Sequence, residues 1–395
     1  MLRDASIICL SSIDWSFNRQ NPQEVALALA EDGSRVLFVD NTGVRRPELR
    51  DAPRLWSRLR NWWGARGGTS RVAGGVDVFS PLLLPLPYSR PAVSANARLL
   101  TRAIRTWLGG NNNGGGPLIV VTFLPTPLAR GVIKALRPAL VVYYCIDLLA
   151  ESSPGARRLT HSERRLLAES DLVLVTSGLL YEAAAEVSTR VEMLASGVHA
   201  ERFDEARRSH AGPPEALSSL SGPVVGYVGS IRTATDLSLL ARAAELAPDL
   251  QFVLAGPRFV DVAPLAERPN VRLLGAVRHE EIARYMVRFD VGVLPYSINK
   301  FTAGIMPVKL KEYLAAGLPV VATPLPEVVR FAEHHPGLVR FAGNPEDFVA
   351  ALRASLSDGE PEAQARRVAV ARQFDWNRQM GRMKELIEQA LARET

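Results

Sequence analysis

The sequence predicts an α/β protein of two Rossmann-like domains, and three observations lead there. Short β-branched apolar runs alternate with segments of helical period along almost the whole chain, the pattern of parallel strands joined by crossover helices. The 395 residues exceed one ordinary core, and at roughly 150 residues per domain two domains of similar size account for them. A polar stretch containing Pro, Gly and Ser, Asp204 to Gly222, then interrupts the alternation near the middle and reads as a linker. These observations set a first domain at 1–204, a linker at 205–222, a second domain at 223–375 and a last helix at 376–395.

Composition narrows the class. With 47% hydrophobic and 22% charged residues the chain is globular and can bury a large core. Its net charge of +6 suits nucleotides, anionic lipid or nucleic acid alike. No aromatic RNA-binding pattern, zinc-finger spacing or helix-turn-helix supports the last of these, so no nucleic-acid partner is expected. Cys9 and Cys145 each lie inside an apolar run, which excludes a disulfide framework or a Cys-rich metal site. The first residues hold one short apolar run ahead of Asp14, so neither a signal peptide nor a spanning helix is read there and a cytoplasmic protein is expected.

In the first domain, Ser6 to Ser11 is a strand, Pro22 to Glu31 a helix with Asn21 as N-cap and Gly33 as stop, and Val36 to Val39 the next strand. No glycine separates the first strand from its helix, which excludes the dinucleotide fingerprint GxGxxG. That loop carries Asp14 and the run Gln20-Asn21-Pro22-Gln23. From Val44 to Arg66 the chain becomes arginine-rich, with Leu55, Trp56, Leu59, Trp62 and Trp63 on one helical face. Such a segment lies in a membrane interface or packs on its own domain, and 52–66 is read as a candidate membrane contact. Val76 to Phe79 is a strand, Ala95 to Leu108 a helix, and Gly109 to Gly116 a low-complexity loop. Leu118 to Phe123 and Val141 to Cys145 are inner parallel strands flanking a helix at 127–136. Asp147 leaves the second of them, as a strand-end aspartate or as a group at the carboxyl edge where ligands bind. A strand at 171–176 and a further helix continue the alternation.

In the second domain, Val224 to Val228 runs into the turn Gly229-Ser230, with Arg232 just beyond. Glycine there permits close approach of backbone N–H groups to phosphate, and a structural tight turn needs the same residue. A helix at 236–247, strands at 251–255 and 271–274, and a helix at 280–289 follow. Val291 to Leu294 is a strand, a polar loop carries Asn299, Lys300 and Thr302, and a helix starts at Pro307 and stops at Gly317. Val308, Lys309, Glu312 and Tyr313 lie on that helix, Pro319 to Ala322 is the next strand, and helices at 345–356 and 361–372 precede the last one. Its free N–H groups and dipole suit an anion. Lys309 and Glu312, three apart, share a face. They form a solvated surface pair, or an ammonium for phosphate beside a carboxylate for a sugar diol.

The phrase Pro-x-Lys-Leu-x-Glu-Tyr-Leu-Ala-x-Gly-x-Pro-Val-Val, Pro307 to Val321, resembles the nucleotide-sugar half of GT-B fold glycosyltransferases. It is most similar to the bacterial exopolysaccharide and teichuronic-acid type. Gln20 to Gln23, Glu163 to Ser177 and Ser196-Gly197-Val198 resemble further phrases of that family, with Ser196 in place of an asparagine. The resemblance implies two Rossmann-like domains with a cleft and a last helix that crosses back to the first domain. It implies that Glu312 holds ribose hydroxyls and Lys309 faces the pyrophosphate, with Val308 in the same donor-binding set. Gly229, Ser230 and Arg232 would meet the diphosphate, Val277 and Arg278 the base, and Asn299 the sugar or phosphates.

The implied reaction is sugar transfer from a UDP-linked donor to a saccharide or lipid-linked acceptor in bacterial cell-surface polysaccharide synthesis, at the inner face of the membrane. Two departures bear on mechanism. Gly304 stands where retaining relatives carry a second glutamate, and Ser230 and Thr235 stand where they carry Arg and Lys. An inverting transfer with one base is therefore expected, Asp147 being the first candidate and Asp14 the second. No Asp-x-Asp metal motif or histidine cluster is present, so a metal-independent site without cofactor is expected, with Lys309 and helix dipoles at the phosphates. An epimerase or hydrolase on the same fold, or a noncatalytic nucleotide-sugar-binding partner, stays open.

Overall fold

Two sheets of buried β-branched residues, each covered by helices, organise the chain. The computed structural model describes residues 2–17, 19–43, 69–72, 74–110, 115–151, 156–209 and 212–394. The expected amphipathic segment 52–66 lies outside the described residues. One compact unit comprises Met1–Ala195 with Met380–Thr395, and the other Ser196–Gln379.

The first unit contains β1 (Ser6–Leu10), β2 (Arg35–Val39), β3 (Thr69–Arg71), β4 (Asp77–Phe79), β5 (Leu118–Thr122), β6 (Leu140–Cys145), β7 (Leu172–Val175) and β8 (Val191–Met193). Their order is β3-β4-β2-β1-β5-β6-β7-β8, and every pair except β3 with β4 is parallel. Inner strands such as LVVYYC of β6 are buried along their whole length, as expected where helices cover both faces. The helices are α1 (Asn21–Glu31), α2 (Arg90–Gly109), α3 (Pro127–Leu136), α4 (Thr160–Glu169) and α5 (Gly178–Ala185). The chain winds outward in both directions from β1 and β5, so the loops after these strands flank a switch point.

Three elements of this unit differ from expectation. Gln20 rather than Asn21 caps α1, because Gln20 and Gln23 satisfy each other's backbone in a capping box. Helix α2 begins at Arg90, ahead of the expected 95, since Pro91 occupies the first turn, where a missing N–H costs nothing. Strands β3 and β8 are three residues each and half exposed, too short for an alternation to register.

The second unit contains β9 (Val224–Val228), β10 (Gln251–Ala255), β11 (Val271–Gly275), β12 (Val291–Leu294), β13 (Val320–Ala322) and β14 (Val339–Phe341). All pair in parallel, in the order β11-β10-β9-β12-β13-β14. Its helices are α6 (Ala200–Arg208), α7 (Leu237–Leu246), α8 (Val308–Ala316), α9 (Pro326–His334), α10 (Pro345–Leu356), α11 (Pro361–Arg372) and the start of α12 (Trp376–Glu394). The expected linker is corrected here. The units divide between Ala195 and Ser196, and α6 buries Phe203 in the second unit's core. Its polar face, where Asp204 pairs with Arg207 and Arg372, hides that apolar side from a reading by composition. The helix expected at 280–289 is shorter, a turn at His279–Glu281 followed by Ile282–Met286. From Met380 onward α12 belongs to the first unit, where Lys384 pairs with Asp32 at 2.6 Å.

Candidate functional site

The second sheet has its own switch point between β9 and β12, which are hydrogen-bonded neighbours although helices and two strands separate them in sequence. Ligands bind doubly wound sheets in the crevice outside the carboxyl ends of such strands. The loop after β9 carries Gly229, Ser230 and Arg232, and the loop after β12 leads to α8, so the predicted diphosphate residues and the Lys309 helix arise from adjacent strand ends.

The two loops are tied together. Ser297 N–H donates to Ala234 O at 2.9 Å, Asp236 N–H donates to Pro295 O at 2.7 Å, and Thr235 bridges Tyr296. Thr323 closes the base of the second loop, its hydroxyl donating to Tyr296 O at 2.8 Å and accepting from Tyr296 N–H at 3.1 Å. Asn299 caps the short helix Lys300–Ala303 and Thr302 answers from its third position, while the Thr302 hydroxyl donates to Ser297 O at 2.7 Å. Asn299 thus shapes the loop. Its exposed position also keeps it accessible.

Helix α8 starts after Pro307, which has no side chain able to cap it. The N–H groups of Val308 and Lys309 precede its first backbone bond, Leu310 N–H to Pro307 O at 3.1 Å, and carry the positive partial charge of a helix start. Val308 is the first helical residue. Lys309 Nζ meets Glu312 Oε2 at 2.5 Å, with side chains 23% and 12% exposed, so the predicted pair is half-buried rather than a freely solvated surface pair. The helix is anchored behind them. Tyr313 is fully buried and its hydroxyl accepts from Val228 N–H at 2.9 Å, linking α8 to the end of β9. A Cβ on Gly292 would lie 2.5 Å from the Tyr313 ring, so β12 can carry only glycine opposite that tyrosine. Gly317 ends the helix at φ 84°, a left-handed cap suited to glycine.

The remaining predicted donor residues scatter in role. Arg232 lies with its guanidinium over the Phe259 ring at 4.5 Å. Val277 packs on the core cluster beneath α8. Arg278 pairs with Glu281 at 3.1 Å and its side chain is 76% exposed. Gly304 closes the Lys300–Ala303 turn and supplies no side chain where a second glutamate was the point of comparison. Sequence reading missed Lys311. It is buried, its ammonium donates to Ser196 O at 2.8 Å and lies 4.7 Å from the Phe374 ring, and desolvation pulls its pKa down to about 7. The readable signal was position: Lys311 stands three and four residues before the buried Leu314 and Ala315, on the apolar side of the helix.

In the first unit, Asp147 lies two residues beyond β6. No hydrogen bond to its carboxylate occurs among the described residues, and desolvation pushes its pKa up to about 6. Behind it, Tyr143 donates to Glu163 Oε1 at 2.6 Å, and burial raises the pKa of Glu163 also. Thr176 holds the strand end by donating to Ile146 O at 2.8 Å. Asp14 sits in the loop after β1, which Asp40 fixes by accepting from Trp15 N–H at 2.7 Å. The raised pKa of Asp147 suits a base at neutral pH. Among the described residues no group of three or more His, Cys, Asp or Glu could hold a metal ion.

The family model for glycosyl transferases group 1 matches residues 222–358. The second unit carries a glycosyl transferases group 1 domain. Lys309, Glu312 and both tied loops fall inside this group 1 domain. The putative teichuronic acid biosynthesis glycosyltransferase TuaH of Bacillus subtilis is 29% identical over 255 residues, 60% of this chain. The chain spans 64% of that relative's length. Sucrose-phosphate synthase from Thermosynechococcus elongatus superposes with TM-score 0.70 at 18% identity, over 98% of this chain and 99% of that one. Anabaena HepE, solved in complex with UDP-glucose, gives TM-score 0.65 at 16% identity over 97% and 99%. These likenesses reach both units, and the fold is GT-B, beyond the part that the group 1 domain covers.

Proposed function

We propose that the protein is a glycosyltransferase that moves a sugar from a UDP-linked donor to a saccharide or lipid-linked acceptor in bacterial cell-surface polysaccharide synthesis. The observation that carries this reading is the half-buried Lys309–Glu312 pair at the uncapped start of α8, on the switch point of a group 1 domain. Phosphate oxygens would take Lys309 and the first-turn N–H groups of Val308 and Lys309, and the ribose diol would donate to Glu312. Positive groups so placed stabilise the charge that grows on the leaving diphosphate. The names of TuaH and of the HepE complex with UDP-glucose support the reaction class and the donor nucleotide.

The first unit supplies the acceptor site in this reading. Asp147 takes the proton of the attacking hydroxyl, which makes the transfer inverting and independent of metal. Segment 52–66 would hold the protein peripherally on the inner face of the membrane. No helix among the described residues is long and apolar enough to cross one. The reading is tested by mixing the protein with UDP-sugars and lipid-linked or free saccharides. UDP release that depends on acceptor supports transfer, and release without acceptor indicates a hydrolase or epimerase. Binding without turnover indicates a partner protein. The anomeric configuration of the product, read by NMR, decides inversion.

A further inference from the structure

A second feature lies away from the donor residues. Helices α2, α3 and α4 of the first unit enclose a groove of about 1070 Å3. Seven of its lining residues are arginines and none is a carboxylate. Some of this charge is committed: Arg130 pairs with Glu169, and Arg105 donates to Ala135 O at 2.7 Å. Arg98 and Arg102 of α2 and Arg165 of α4 have no ion-pair partner among the described residues. Arginines left unpaired on two helix faces that meet at one groove repel one another, and an anion between them relieves that repulsion.

Two further observations point to a ligand. Thr101 and Ser162 line the groove at 5% and 4% exposure, and neither hydroxyl has a hydrogen-bond partner among the described residues. Buried hydroxyls are normally satisfied, so these two lack the oxygens that an occupant would bring. The chain enters the groove from an exposed apolar edge in sequence. Leu82, Leu84 and Leu86, 38%, 52% and 39% exposed, precede Tyr88 and Arg90 at its mouth, and Leu99 on α2 is 57% exposed. The side chain of buried Asn96 clamps Leu84 through both its N–H and its C=O, at 2.9 and 3.0 Å. This clamp fixes the main chain at Leu84.

The chemistry that fits is an anionic amphiphile. Phosphate matches the unpaired guanidiniums, ester or glycerol oxygens match Thr101 and Ser162, and an acyl chain matches the walls of Val93, Ala97 and Pro127 and the leucine edge. A free anion would leave the apolar walls and leucines unused, and a neutral lipid would leave the arginines unpaired. We propose that this groove binds one molecule of a lipid phosphate. The site stands on residues of the first unit alone, so it survives or fails independently of the donor reading.

The test is calorimetric titration of the full chain with dihexanoyl phosphatidic acid, kept monomeric, with dihexanoyl phosphatidylcholine and inorganic phosphate as the other arms. Saturable one-to-one binding of the phosphatidic acid, at least tenfold tighter than either comparison, is expected. Arg98→Glu with Arg102→Glu weakens it tenfold or more, as does Arg165→Glu alone, while the melting temperature and UDP binding of each variant stay unchanged. Thr101→Val weakens it severalfold. Equal affinity for inorganic phosphate overturns the proposal. So does binding to phosphatidylglycerol vesicles without binding of the monomeric lipid, or unchanged affinity in Arg165→Glu.

Discussion

Replacing Asp147 by asparagine separates what the carboxylate costs the fold from what it does for the reaction. Desolvation raises its pKa from 3.8 to about 6, and at 1.36 kcal/mol per unit the ionised form is disfavoured in the folded state by roughly 3 kcal/mol. The sign follows from the folded value lying above the unfolded one. Below pH 3.8 both states are protonated and nothing is lost. Between pH 3.8 and 6 the unfolded chain ionises while the folded one resists, and stability falls; above pH 6 the penalty is constant. Asp147→Asn should therefore unfold at higher denaturant than the parent at pH 7.5, by about 1–3 kcal/mol, and match it near pH 4. In the proposed mechanism the same change removes the base, so transfer should fall by about 10²–10⁴ while UDP binding is retained. Parent transfer should decline as pH drops through 6, where the carboxylate takes up its proton. Urea unfolding and initial rates at several pH values are the assays. A variant with no gain in stability at pH 7.5 and near-normal turnover would refute the reasoning.

Other outcomes follow from the same geometry. Lys311, pulled down to about 7 from 10.5 by burial, is disfavoured as a cation in the folded state, so stability should rise from pH 7 toward 10; urea midpoints show this in the parent and not in Lys311→Met. Gly292→Ala drives a methyl to 2.5 Å from the Tyr313 ring, and overpacking of this kind costs about 1–3 kcal/mol by thermal unfolding. Addition of chelator should leave the initial transfer rate unchanged, and strong inhibition reversed by a divalent cation would contradict a metal-independent site.

Much of the architecture was legible because inner parallel strands and their helices write it in residue type. The apolar runs at 118–123, 141–145, 224–228 and 251–255 became strands, since β-branched residues buried on both faces are rarely used otherwise. Helices α3, α10 and α11 each begin at a proline, and that signal is local. What was lost depended on distant partners. The end of helix α6 reads as linker and its start as first domain because its charged face dominates its composition, and only the core into which Phe203 fits distinguishes it. Lys311 was passed over because a lysine in the run Lys309-Leu310-Lys311-Glu312 suggests solvent, whereas its partner, Ser196 O, is more than a hundred residues away in sequence. Lys309 and Glu312 were legible as neighbours on one face; their shielding, and the clasp between the 229–236 and 295–302 loops, required the fold. The arginine groove draws on α2, α3 and α4, so no single stretch displays it.

The central claim is that α8 grips a nucleotide diphosphate through Lys309 and Glu312. Thermal unfolding of the parent and of Glu312→Gln with and without UDP tests it most directly, because a ligand that binds only the folded state raises its melting temperature. The account predicts a UDP-dependent rise in the parent and a 10- to 100-fold loss of UDP affinity in Glu312→Gln, about the 1.5–3 kcal/mol carried by hydrogen bonds to a charged group. Equal UDP affinity in the two proteins, or none in the parent, would contradict it.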